Sequence, residues 1–198
     1  CRKFLCKNCK ILRTYIIPKN IRSFKQNLIQ RGIAANKISV VTNGVDLTRF
    51  APQKKNEALI NEIGLQGQFV VGYIGKHGLA HALETLLEAG RLLSDMKEKE
   101  VSIVFLGDGA RKAFLQHRAS ELELDNVKFL PSVRKDDVTK YWSILDAAII
   151  HLKKEPVFKT VIPSKLFECM GMGIPVLHGV EGESAEMVEE HKVGLVFE

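Results

Sequence analysis

"QFVVGYIGKHGLAHALETLLEAGRLL", residues Gln68–Leu93, decides the fold. It opens as an unbroken apolar strand, crosses Gly75-Lys76-His77-Gly78, and then adopts helical spacing. The spacing predicts a helix with Leu79, Leu83, Leu86 or Leu87, and Leu93 inward. An apolar strand without alternation is buried on both faces, which requires helices on both sides of a parallel sheet. The alternation continues downstream. "VSIVFLGDG" is a strand, and a helix follows from about Arg111 to Leu122. "NVKFLPSV" is a strand into a loop, and "DDVTKYWSIL" a short helix. "DAAIIHL", the helix "SKLFECMGM", the strand "IPVLHG" and the helix "ESAEMVEEH" complete the series. The fold class is therefore α/β, a Rossmann-like parallel sheet with helices on both faces.

Upstream the pattern differs. "IRSFKQNLIQRG" reads as an amphipathic helix with Ile21, Phe24, Leu28 and Ile29 on one face and Gly32 at its end. "KISVVTNGVD" is a short strand closed by an Asn43-Gly44 turn, and "APQKKNEALINEIG" suits a linker with a short helix. A domain boundary is expected near residues 45–65. The first residue is Cys1 rather than methionine, which suggests a piece excised from a longer protein.

The 198 residues carry a formal charge of +6, with 45% hydrophobic and 26% charged residues, a soluble globular balance. No apolar run approaches the roughly 20 residues of a membrane span, and no signal-peptide pattern opens the chain. The basic residues crowd the N-terminal quarter, where Asp46 is the only acid before Phe50. Such a face suits an anionic membrane surface or a second domain; no nucleic-acid motif accompanies it. Cys6 and Cys9 form one C-x-x-C beside Cys1, without the second pair that a structural zinc site takes, so no metal is expected. Reduced thiols of a cytoplasmic protein are the default.

Ligands of an open parallel sheet bind beyond the carboxyl ends of its strands, which makes those loops the candidates. After the first strand comes Gly75-Lys76-His77-Gly78, a phosphate-site pattern in which glycine admits the backbone and lysine supplies charge. His77 reads as a turn or capping residue. Gly107-Asp108-Gly109 begins a dinucleotide fingerprint, but a lysine stands near the place of its third glycine, and no Walker lysine-serine pair occurs. After the third strand come Ser132 and Val133. After the fourth comes "PSKLFE", where Pro163 ends an extended segment and Ser164 is placed to cap a helix beginning at about Lys165. A lysine in a first helical turn is disfavoured by the dipole unless an anion meets it. Glu168 lies near the same face, four residues after Ser164 rather than the three of a capping box, and could accept ribose hydroxyls.

Taken in order, "KISVVTNGVDLTRFAP", "VVGYIGKHGLAHALETLLEAGRLL", "IVFLGDGARKAFL", "NVKFLPSVRKDDVTKYWSILDAAII" and "PSKLFECMGMGIPVLHGVEGESAEMV" resemble one family. It is the C-terminal, donor-binding domain of the GT-B glycosyltransferases of group 1 (family 4), and the likeness runs from about Tyr15 to the last residue. The resemblance implies one half of a GT-B fold. Residues 1–45 would be the tail of an N-terminal acceptor domain with the interdomain strand, and 46–198 a nucleotide-sugar domain truncated before its last, returning helix.

It implies a metal-independent, retaining transfer from a UDP-linked sugar, without a cofactor, to a glycan or lipid-linked acceptor in surface polysaccharide assembly. The setting would be cytoplasmic, at the inner face of the membrane, with the fragment alone inactive. By resemblance Glu168 holds the donor ribose as the second glutamate of an E-x7-E motif. Lys165, Lys76, Gly75 and Ser164 meet the diphosphate, and Ser132 and Val133 the base. The first glutamate of that motif is replaced by Thr160, a departure similar to the subgroup that transfers amino-deoxy sugars such as N-acetylfucosamine. A GT-B sugar-nucleotide epimerase would need a histidine- and glycine-rich donor motif that is not seen, and a non-catalytic nucleotide-binding module is the other alternative.

Overall fold

The computed structural model describes residues 15–19, 25, 28–42, 44–98 and 100–197. Cys1, Cys6 and Cys9, together with Ile21, Phe24 and Asn43, lie outside them. Two parallel strands, β1 (Tyr15–Lys19) and β2 (Ile38–Thr42), form a small sheet of their own. Between them Lys25 and Leu28–Gln30 are helical, and Gly32, at φ 85°, ends the turn with its N–H on the Ile29 carbonyl. Leu28 is half-buried but Ile29 is exposed, so the apolar face predicted there turns away from Ile29.

The remainder builds a six-stranded sheet. Its elements are α1 (Glu57–Glu62), β3 (Phe69–Ile74), α2 (Glu84–Asp95), β4 (Val101–Leu106), α3 (Lys112–Glu121) and β5 (Val127–Leu130). Then follow α4 (Val138–Trp142), β6 (Ala147–His151), α5 (Ser164–Met172), β7 (Val176–Gly179), α6 (Glu183–Glu190) and β8 (Gly194–Val196). All pairings are parallel, in the order β5-β4-β3-β6-β7-β8. Counted from β3, this is the 3-2-1-4-5-6 order of the Rossmann fold, whose direction reverses between the first and fourth strands.

Apolar strand residues serve the two faces in turn. Val71, Tyr73, Ile103, Phe105 and Ile149 meet Leu83, Leu86 and Leu87 of the α2 segment and Leu115 of α3. Val70, Ile74, Val104, Leu106, Ala148 and Ile150 meet Leu166, Cys169 and Met172 of α5, Trp142 of α4, and Leu59 and Ile60 of α1. Asn56 starts α1 by accepting the Leu59 N–H at 3.0 Å.

The pairing at the point of reversal is short. β3 and β4 are registered along six residue pairs, but β3 and β6 only at Val71–Ala147 and Gly72–Ala148. Asp146 secures the near end, with its N–H on the Val70 carbonyl and its carboxylate accepting the Val70 N–H, both at 2.8 Å. Lys55 completes the clasp with an ion pair to Asp146 at 2.6 Å. Beyond Gly72 the strands part.

The sequence places the α2 helix too early. Leu79–His81 form a 3-10 turn, Ala82 is left-handed at φ 45°, and the α-helix begins only at Glu84. Leu79 is accordingly 64% exposed, while Leu83 is buried. The cause lies across the sheet. The Ala80 carbonyl accepts the Lys153 N–H at 2.9 Å, so these residues bridge to the loop after β6 instead of winding into a helix.

Loops at the strand ends are laced by backbone. The Gly75 N–H donates to the Leu106 carbonyl at 2.9 Å, and a Cβ on Gly107, at φ 139°, would lie 2.0 Å from the Gly75 oxygen. Gly107→Ala should therefore cost about 2–3 kcal/mol, or a fall of about 5–10 °C in thermal midpoint. Exposed Gly44, with open space around it, should tolerate Ala within about 0.5 kcal/mol. Urea unfolding of the two variants beside the parent chain checks the contrast.

Candidate functional site

Where β3 and β6 part lies a cavity of about 190 Å³, lined by Tyr73, His81, Ile150, His151, Leu152, Val161, Pro163, Ser164 and Lys165. Each lining residue arrives for a local reason. Tyr73 is buried in β3, and its hydroxyl donates to the Lys76 carbonyl at 2.8 Å, folding the loop back over the strand. His151 ends β6, and its Nδ1–H donates to the His81 carbonyl at 2.9 Å, which holds the 3-10 turn against the strand end.

Ser164 does not cap α5. Pro163 is the residue before the helix, no side chain caps it, and Ser164 is already the first helical residue. Proline fixes the entry dihedral and has no N–H of its own. The amides of Ser164 and Lys165 donate to no backbone carbonyl, and the first paired one is Leu166. Two free donors and an exposed hydroxyl thus face the cavity at the positive end of a nine-residue helix.

The Lys165 side chain is half-buried and runs over Gly75. A Cβ on Gly75, at φ 150°, would lie 2.3 Å from Lys165 Cε, so glycine is the residue that admits it. Its Nζ stands 5.1 Å from the Tyr73 ring centroid, within cation–π range, and makes no ion pair or hydrogen bond among the described residues. Burial lowers the ammonium pKa, opposed by the nearby Glu168 carboxylate. An under-solvated cation beside unpaired helix amides is a strong anion acceptor.

Glu168 sits one turn deeper. Its Oε2 accepts the Nε1–H of buried Trp142 at 3.2 Å, leaving Oε1 without a donor among the described residues. Burial raises its pKa, while Trp142, Lys165 and Arg49 act the other way. Arg49 itself stands 5.2 Å over Phe50, and its Nε is buried without a partner. The carboxylate is therefore oriented by α4 with one oxygen available.

The other predicted residues are more dispersed. Lys76 is exposed on the loop beside Gly75. Ser132 and half-buried Val133 follow β5, at the edge and two strands from β3, roughly 10 Å along the sheet. Thr160 ends a 3-10 turn (Pro156–Thr160) and donates its hydroxyl to the Val157 carbonyl at 2.9 Å. Lys112, near the place of a third fingerprint glycine, spends its ammonium on the Gly107 and Leu130 carbonyls, at 2.9 and 3.1 Å, tying β4 to β5.

His77 is neither cap nor exposed turn residue. Its ring is fully buried between Tyr73 and Phe105, both about 6 Å away, and neither nitrogen has a partner. Its backbone does the joining, through His77 N–H to the Asp108 carbonyl and Arg111 N–H to the His77 carbonyl. Sequence reasoning passed over Tyr73, His81, Trp142 and His151. A polar residue closing an otherwise apolar strand was the available signal for His151.

Residues 55–198 match the protein family described as Glycosyl transferases group 1. Spore coat protein SA of Bacillus subtilis (strain 168) is 26% identical over 180 residues, 83% of this chain and 46% of its own length. The putative colanic acid biosynthesis glycosyl transferase WcaI of Escherichia coli (strain K12) is 26% identical over 155 residues, 77% of this chain and 37% of its own. The chain thus spans less than half the length of these curated relatives. Among solved structures, Anabaena Alr3699/HepE in complex with UDP-glucose superposes with a TM-score of 0.75 at 22% identity, covering 95% of this chain and 50% of that one.

Burial pushes the imidazoles of His77 and His178 down to about 4. In the unfolded chain they titrate at about 6.5. Between these values the unfolded state binds more protons, so stability is full above about 6.5 and is lost as pH falls toward about 4. NMR titration should show His77 and His178 staying neutral down to about pH 4, and the thermal midpoint should fall over the same window.

Proposed function

The chain belongs to the group 1 glycosyl transferases, and from that premise we propose that it is the donor-binding half of a retaining, metal-independent transferase that uses a UDP-linked sugar. The observation that carries this reading is the cavity at the parting of β3 and β6, where the unpaired Lys165 ammonium, the free α5 amides and Gly75 converge. At about 190 Å³ it is smaller than the roughly 300–1,000 Å³ of whole ligand sites, and suits the diphosphate end of a donor.

In this reading Lys165, Ser164 and the α5 amides bind the β-phosphate, with Gly75 making room for the Lys165 side chain and Lys76 adding charge from the loop. As the sugar leaves, negative charge grows on that phosphate. Donors already in place stabilise it without reorganisation. Glu168, turned by Trp142, accepts the ribose hydroxyls through Oε1, and the Ser132–Val133 backbone meets the base. Thr160 is committed to the Val157 carbonyl and lacks the reach of a glutamate, which suits a donor with fewer hydroxyls to hold, such as an amino-deoxy sugar.

Residues 1–45 belong to the acceptor domain in this reading, consistent with a β1–β2 sheet separate from the main one. The acceptor is a glycan or lipid-linked saccharide of surface polysaccharide assembly, an assignment supported by the colanic acid relative. No helix among the described residues is long and apolar enough to cross a membrane. The basic N-terminal segment provides for contact with the inner face of the cytoplasmic membrane.

Calorimetric titration with UDP tests the site. Lys165→Ala and Glu168→Ala should each weaken binding about tenfold or more, equivalent to about 1.4 kcal/mol, and Lys76→Ala by less. GDP should bind more weakly than UDP. Unchanged affinity in both the Lys165 and Glu168 variants overturns the assignment. The chain alone should show no sugar transfer.

A further inference from the structure

His81 stands at the cavity without a role in the reading above. It lines the same cavity as Ser164 and Lys165, on the 3-10 turn that bridges β3 to the loop after β6. Two hydrogen bonds to its carbonyls hold that turn in place, from His151 Nδ1–H to His81 and from the Lys153 N–H to Ala80, both at 2.9 Å. Its ring packs edge-on to Tyr73 at 5.9 Å between centroids. Nδ1 is buried against the Gly78 backbone, so Nε2 is the nitrogen left to the cavity.

We propose that His81 is a proton-coupled contact for the donor diphosphate, taking up a proton from solvent as the anion enters and, as imidazolium, donating an Nε2–H hydrogen bond to a phosphate oxygen. The proposal rests on the donor-site reading given above. Its ground is the charge around the ring. Tyr73 of β3, Lys76 and His77 of the following loop, His151 of β6, Lys153 beyond it and Lys165 of α5 border the turn that carries it, and all are neutral or cationic.

In the empty site, burial comes first and the charges of Lys165, Lys76 and His151 follow in disfavouring imidazolium, with only the Gly78 backbone acting the other way. A diphosphate counters these effects, by neutralising the lysines and by offering an acceptor to the ring. An opposite charge within about 4–6 Å is enough to move the protonation equilibrium by more than tenfold. The donor would then be gripped by a cation absent from the empty site, and released more readily as that proton is lost.

Histidine NMR titration of the chain, alone and saturated with UDP-glucose, tests this. Both phosphates of UDP-glucose are esterified and lack the ionisation near about 6 of a terminal phosphate. The His81 midpoint should rise by at least one unit, a tenfold gain in proton affinity. UDP-glucose should bind correspondingly tighter at pH 6 than at pH 8. His81→Gln should still bind but lose that pH dependence, which a merely structural role for the ring would not remove. If signals of Gly75, Ser164 and Lys165 respond to the nucleotide while the His81 midpoint stays put, the inference is overturned and the donor site stands. If neither UDP nor UDP-glucose perturbs those signals, the donor reading and the inference fall together.

Discussion

The early separation of β3 from β6 is the constraint on which the rest depends. These strands run in parallel at the point where the sheet order reverses, with crossover connections leaving to opposite sides. No helix can cover the crevice between them. Asp146 and Lys55 clasp the strands at one end, and the gap opens at the other. The 3-10 turn, the Pro163-led start of α5 and the Tyr73–Lys76 hydrogen bond all serve to wall that gap. They bring backbone amides and a lysine where the strands cannot supply donors themselves.

Electrostatics then decides what the gap can hold. Lys165 and Glu168 are both partly removed from water, and burial works against the charge of each. Glu168 has a hydrogen-bond donor in Trp142, whereas Lys165 has an aromatic face and, among the described residues, no hydrogen-bond or ion-pair partner. The surplus is positive, and α5 adds its N-terminal dipole to it. A site of this kind favours an anion that brings its own acceptors.

Much of the sheet was legible beforehand, and for a specific reason. β3, β4 and β6 are buried on both faces, so their sequences are apolar throughout, and the alternation with helices leaves few topologies. Lys165 was legible as a residue that a first helical turn does not need for itself, and Gly75, Ser164 and Glu168 as candidates from their place beyond the strand ends. The beginning of α2 was not legible, because Leu79–His81 have ordinary helical spacing and are diverted only by a bond to Lys153, far along the chain. The capping role expected of Ser164 failed on a one-residue shift at Pro163. His77 misled for the same reason as Leu79, since its burial depends on Phe105 from the next strand.

The sequence by itself determined the layered α/β class, the parallel sheet and which loops lie at its carboxyl ends, because burial and periodicity are written locally in the order of residue types. Tertiary structure alone decided that β3 and β6 part after two pairs, that Lys165 lies across Gly75, that Trp142 turns Glu168, and that His81 reaches the cavity. Each of these joins residues from different strand–helix units. Their energies come from desolvation and close approach between groups distant in the chain, which no local pattern encodes.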